Sequence, residues 1–186
     1  MPQARIKMPT DIENWLEKEG EKFLKEIGIK EGYTILDFGC GEGNYSLPAA
    51  KVVGERGKVF ALDKSEFKLT ELLKKARLAG LKNIKTIETK GELKIPLNDE
   101  SVDVVLFYDI LHSYYFSTNE RKKLLKEAYR VLKPDGFLSI YPEHIGLKEI
   151  KEEAKKANFY FEKKYFKKLI HEYSYTNGYI LNFTKI

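Results

Sequence analysis

The chain has 186 residues, 42% of them hydrophobic and 33% charged, which is the length of one domain with enough apolar content for a continuous core and excludes a disordered protein. Its 33 basic residues face 28 acidic ones for a net charge of +5, and lysines and glutamates interleave, a pattern of solvated surface that argues against a nucleic-acid partner. Cys40 is the only cysteine, which excludes an intrachain disulfide and a cysteine-rich zinc site. No run approaches the roughly 20 apolar residues of a membrane span. The opening MPQARIKMPT lacks the apolar core of a signal peptide, so the expected location is cytoplasmic.

The first predicted element is a helix. Thr10-Asp11-Ile12-Glu13 fits a capping box, Ile12, Trp15, Leu16, Phe23, Leu24 and Ile27 fall near one face, and Gly28 can end it. Within a single domain spanning 1–186, residues 1–30 form this helical segment, read either as a lid carrying Trp15 over a pocket or as ordinary packing, and 31–186 form the core. Strand and helix then alternate. Tyr33 to Phe38 is an apolar run ending in a glycine-rich turn, a helix follows from about Gly43, and Lys58 to Leu62 is a second strand. Ser65 caps a helix to Ala79, and Ile84 to Glu88 is a third strand. Val102 to Phe107 is almost continuously apolar, as suits a strand covered on both faces.

Ser117-Thr118-Asn119-Glu120 is a second capping box, leading a helix through Leu132. Lys133-Pro134-Asp135-Gly136 reads as a turn before a strand from Phe137 to Tyr141. A helix from about Leu147 to Ala157 ends at Asn158, and Phe159–Tyr173 and Tyr175–Phe183 read as antiparallel strands joined near Ser174–Gly178. The pattern predicts an α/β fold, a Rossmann-like doubly wound seven-stranded, mostly parallel sheet with a C-terminal antiparallel hairpin. Ligands in such sheets bind at the carboxyl ends of strands, so residues just after Phe38, Leu62, Glu88 and Phe107 should line the site.

The most informative stretch is Asp37-Phe38-Gly39-Cys40-Gly41-Glu42-Gly43-Asn44. It follows a strand and opens a helix, and its glycines let backbone approach a ligand closely. Asp63 ends the second strand near the offset at which an acid binds ribose hydroxyls, and Asp37 can attract an ammonium group. The loop, together with Asn98 to Val105, Ile110-Leu111-His112 and Ala128 to Gly136, resembles the class I S-adenosylmethionine-dependent methyltransferases, in particular the ubiquinone/menaquinone-methyltransferase-like branch.

That resemblance implies S-adenosylmethionine as cofactor and a small-molecule methyl acceptor as partner. It places Asp37, Gly39, Cys40, Gly41, Gly43, Asp63, Lys64, Glu92 and Asp109 at the cofactor, with Asp63 on the ribose; the acid expected on the adenine amino group is either Glu92, after a one-residue shift, or absent. On the acceptor side, His112 is the candidate general base, and Tyr114, Tyr115 and His144 are candidate substrate contacts. No metal is required, and His112, His144 and His171 show no metal-ligand spacing along the chain. Three rivals remain. A nicotinamide-binding oxidoreductase would place a glycine where Asn44 stands. An RNA or protein methyltransferase, or a non-catalytic cofactor-binding subunit, would share the loop.

Overall fold

A computed structural model describes residues 10–186; of MPQARIKMPT, only Thr10 is among them. The chain opens with α1 (Asp11–Asn14), a π-helical turn (Trp15–Glu19) and α2 (Gly20–Glu26). There follow β1 (Thr34–Phe38), α3 (Ser46–Val53), β2 (Lys58–Asp63), α4 (Glu66–Leu78), β3 (Ile84–Glu88) and β4 (Val102–Tyr108). Next come α5 (Thr118–Val131), β5 (Leu132–Tyr141), α6 (Leu147–Lys156), β6 (Phe159–His171) and β7 (Ser174–Lys185). The strands form one seven-stranded sheet in the order β3-β2-β1-β4-β5-β7-β6. β1 to β5 run parallel, and β7 pairs antiparallel with β5 and β6. Strand order therefore reverses between β1 and β4, the switch point at which open α/β sheets bind ligands.

The continuous apolar run of β4 is explained by its two-sided burial. Val102, Val105 and Phe107 join one core with Leu124 and Leu125 of α5 and Ile150 of α6. Val104, Leu106 and Tyr108 join the opposite core with Phe23, Leu24, Ala49 and Val53. From Val104 to Tyr108 alternate side chains thus enter different layers, as strand geometry requires, while Val102 lies before a register shift and falls on the Val105 side. Both capping boxes are present: Thr10 with Glu13 and Ser117 with Glu120. Ser65 caps α4, and Asn158, after α6, has a φ of 67°.

Four local expectations are corrected. The first helix is broken by the π turn, whose wide hydrogen bond runs from the Gly20 amide to the Trp15 carbonyl; a 3.6-residue period does not register it. α3 starts at Ser46 because Gly41 and Gly43 have φ of 54° and 88°, outside helical space. The Lys133 to Gly136 segment is no separate turn but an irregularity inside β5, where pairing jumps from Val102↔Leu132 to Val104↔Phe137. The hairpin turns at Glu172 and Tyr173, and Asn177-Gly178 lies within β7. Gly178 serves packing there: a Cβ would stand 2.6 Å from the Tyr141 ring.

The sequence blocks that carry the resemblance act as staples. Asp103 accepts the Thr34 amide at 2.7 Å and pairs with Lys133 at 2.9 Å, tying β1, β4 and β5. Arg130 donates to Asp99, to Glu127 and to the carbonyls of Ile95 and Leu97, anchoring the β3–β4 connection on α5.

Trp15 is fully buried between Phe23, Tyr45 and Tyr175, and its indole N–H donates to the Asn44 carbonyl at 2.7 Å. It thus fastens the end of the glycine loop to the N-terminal helical segment. Trp15→Phe keeps a ring but leaves that carbonyl without its donor, and we expect a loss of about 1–2 kcal/mol in urea unfolding. Stability equal to wild type would show that the indole N–H is dispensable.

Candidate active site

A cleft of about 330 Å³ opens at the carboxyl ends of β1, β2 and β3 and under the segment after β4, a size typical of small-molecule sites. Phe38, Leu62, Leu93, Ile110 and Phe116 give it apolar walls, while Asp63, Lys64, Lys68, Thr89, Glu92 and Glu120 supply polar groups. Residues following Phe38, Leu62, Glu88 and Phe107 line it, as the strand order predicts.

The glycine loop crosses the end of β1. The amides of Gly39 and Cys40 donate to the Leu62 carbonyl at 2.7 and 3.0 Å, docking the loop on β2. Gly39 has a φ of 75°, and a Cβ on it would lie 2.8 Å from Ile110 Cγ2, so only glycine lets the loop pass this close to the segment after β4. Gly41 faces open space. Gly43 is structural: a Cβ would meet Leu72 at 2.7 Å. Cys40 is buried with Ala61, Leu69 and Leu72, and burial pushes its thiol far above the ordinary range, so its side chain is packing and not a nucleophile.

Asp63 sits at the cleft with its carboxylate held by backbone: Oδ2 accepts the Gly41 amide and Oδ1 the Ser65 amide, each at 2.9 Å. Both oxygens keep lone-pair capacity for a further donor pair. Glu92 also lines the cleft, but one oxygen accepts the Thr89 hydroxyl and the Lys90 amide at 2.7 Å; these bonds, Thr89 first, hold its carboxyl below the usual range.

Asp37 lies behind the loop, 3% exposed, and accepts the Ser46 hydroxyl at 2.6 Å. Burial pushes its carboxyl up to about 6, with Ser46 opposing and the Asp63 charge adding. Because this value lies above the ordinary 3.8, the group's contribution to stability is fully present below about pH 4 and is lost as pH rises through 6. The gap corresponds to about 3 kcal/mol. Urea unfolding between pH 4 and 7 should show Asp37→Asn gaining on wild type by that order; a constant difference would mean that Asp37 stays ionised throughout.

The expected acceptor-side residues divide. Tyr115 lines the cleft, whereas Tyr114 is 86% exposed and leans on its neighbour Tyr115. His112 is 7% exposed and does not line the cleft. Its Nδ1 accepts the Tyr114 amide at 3.2 Å, and burial holds the imidazole below its ordinary value, with Asp109 opposing. Asp109 also turns away from the cleft, towards His171 and His144. Lys68, Thr89 and Glu120 line the cleft although the sequence marks none of them as a site residue, Glu120 being legible only as a cap; Lys68 had a signal, standing on the first turn of the helix that follows Asp63.

The strand order, the glycine loop after β1 and the acid ending β2 define the Rossmann-like class I S-adenosylmethionine-dependent methyltransferase fold. Residues 29–179 match a family model described as a methyltransferase domain, and the chain belongs to that family. It is 34% identical over 120 residues to a demethylmenaquinone methyltransferase of Lactobacillus johnsonii, covering 64% of this chain and 48% of that one. A demethylmenaquinone methyltransferase of Geobacillus stearothermophilus is 32% identical over 114 residues, covering 61% and 47%. The chain spans about half the length of these relatives. Among solved structures, a SAM-dependent methyltransferase from Aquifex aeolicus superposes with a TM-score of 0.74 at 29% identity over 93% of both chains. No helix among the described residues is long and apolar enough to cross a membrane.

Proposed function

We propose that this protein transfers the methyl group of S-adenosylmethionine to a small-molecule acceptor, with a quinol-type aromatic ring as the first candidate. The observation that carries this reading is the Asp63 carboxylate, fixed by two backbone amides at the rim of an apolar-walled cleft beside a glycine loop. The residues present fit the cofactor. Asp63 offers two acceptors to a ribose diol, and Phe38, Leu62, Leu93, Ile110 and Phe116 form walls for a planar base, with Glu92 at the edge. The buried Asp37 places negative charge behind the loop, which favours a cationic ligand in front of it.

The sulfonium supplies an electrophilic methyl group, so the protein's task is alignment and exclusion of water more than acid–base work. The loop and the 110–116 segment form two sides of the cleft, and we assign Tyr115, which lines it, to the acceptor. A base role for His112 would require Nδ1 to give up the Tyr114 amide, because a neutral imidazole that accepts at Nδ1 carries its proton on Nε2. The quinol candidate rests on the names of the relatives.

The test is transfer of labelled methyl from S-adenosylmethionine to a panel of soluble quinols, catechols and amines, with bulk tRNA alongside. We expect label in a ring acceptor and none in RNA. Label in RNA would overturn the small-molecule reading, and binding without any transfer would favour a non-catalytic subunit.

A further inference from the structure

All three histidines of the chain gather around one carboxylate outside the cofactor cleft. Asp109 follows β4, His144 follows β5, and His171 ends β6, so three elements distant in sequence converge at the carboxyl edge of the sheet. Asp109 Oδ2 lies 2.7 Å from His171 Nε2, and Oδ1 lies 3.6 Å from His144 Nε2 and 3.9 Å from His112 Nε2. One ligand atom from each of Asp109, His144 and His171 lies within 4.8 Å of the other two.

Two further observations bear on this cluster. Asp109 Oδ1 is buried without a hydrogen-bond partner, a costly state for a carboxylate oxygen. Asp109 also has a φ of 54°, a left-handed conformation uncommon outside glycine and frequent at functional sites. Its amide is tied to the Tyr141 carbonyl at 3.0 Å, which holds the side chain between the imidazoles.

We propose that Asp109, His144 and His171 bind a divalent transition-metal ion of the zinc type. Two imidazole nitrogens and one carboxylate oxygen suit zinc and its first-row neighbours, and three protein ligands leave a position open for water or an oxygen ligand. Ligand atoms around a tetrahedral ion at about 2.0–2.2 Å stand roughly 3.3 Å apart. The cluster reaches that spacing by small side-chain rotations, chiefly of His144, whose side chain is 52% exposed. A bound cation satisfies the orphaned Oδ1. His112, packed 5.0 Å ring to ring from His144, borders the site without being one of the three ligands. The site is separate from the cofactor cleft and does not depend on the methyltransferase reading.

The test uses the untagged, chelator-stripped full chain titrated with Zn²⁺ by calorimetry and with Co²⁺ by visible absorption. We expect one equivalent to bind with a Kd in the micromolar range or below, and cobalt to show ligand-field bands of a low-coordinate nitrogen–oxygen site. His144→Ala, His171→Ala and Asp109→Asn should each weaken binding at least about tenfold, the scale at which metal sites respond even to lost outer-shell partners. His144→Ala removes a half-exposed side chain and keeps the test decisive if Asp109→Asn fails to fold. Failure of the wild type to bind, or affinity unchanged in His144→Ala and His171→Ala, would overturn the proposal and leave the cluster as a hydrogen-bonded charge group.

Discussion

Replacing Asp63 by alanine should weaken S-adenosylhomocysteine binding on the order of 100-fold while lowering stability only slightly. The carboxylate is the acidic group fixed by two amides at the cleft, and two hydrogen bonds from a ribose diol to a charged acceptor contribute about 3 kcal/mol or more together. The cost to folding is smaller. The Gly41 and Ser65 amides lose their partner, but position 63 is only partly buried and water can replace it, so about 1 kcal/mol is expected. Asp63→Asn keeps one acceptor oxygen and should fall between. Calorimetry and thermal melts on the three proteins check this split. Equal affinity for wild type and alanine would remove the carboxylate from the binding site, and a collapse of stability would make its role structural.

Arg121→Ala should be the most destabilising single change in the cleft's surroundings. Arg121 is 2% exposed and forms a fork with Glu153, Nε to Oε2 at 3.0 Å and Nη2 to Oε1 at 2.5 Å, with Glu149 at 2.7 Å from Nη2. It also donates to the Phe116 carbonyl at 3.3 Å, bracing the cleft wall from behind. Removing the guanidinium strands the Glu153 carboxylate, whose side chain is 10% exposed. Breaking such a pair costs about 3–5 kcal/mol, or about 6–20 °C in Tm for a chain of this size. Arg121→Ala/Glu153→Ala should lose less than the sum of the single changes, since no unpaired charge remains. Cofactor affinity should drop as well because Phe116 loses its anchor. A loss under 1 kcal/mol would show that the ion pair holds nothing together.

The alternation of strands and helices was legible because hydrophobic period, caps and glycines agreed along most of the chain. The strand ends after β1 and β2, with Gly39 and Asp63, lie at the cleft, which opens where the strand order of such sheets places ligand entry. Other features were hidden for identifiable reasons. Asn177-Gly178 looks like a turn, but that glycine makes room for the Tyr141 ring, while the actual turn at Glu172-Tyr173 carries no glycine or asparagine. Asn98 to Val105 and Ala128 to Gly136 signalled the family, yet Asp103, Arg130 and Lys133 act there as cross-links between elements. The gathering of His144 and His171 on Asp109 is a product of tertiary structure; nothing in their spacing along the chain announces it. Asp109, expected at the cofactor, faces these imidazoles because its left-handed φ and its bond to the Tyr141 carbonyl fix it near them.

The cleft between the glycine loop and Asp63 should accept an adenosyl sulfur compound. Calorimetric titration of the wild-type chain with S-adenosylhomocysteine and, separately, NADH tests this most directly. One equivalent of S-adenosylhomocysteine bound, with NADH silent, is the predicted result; NADH binding while S-adenosylhomocysteine gives no heat would contradict it.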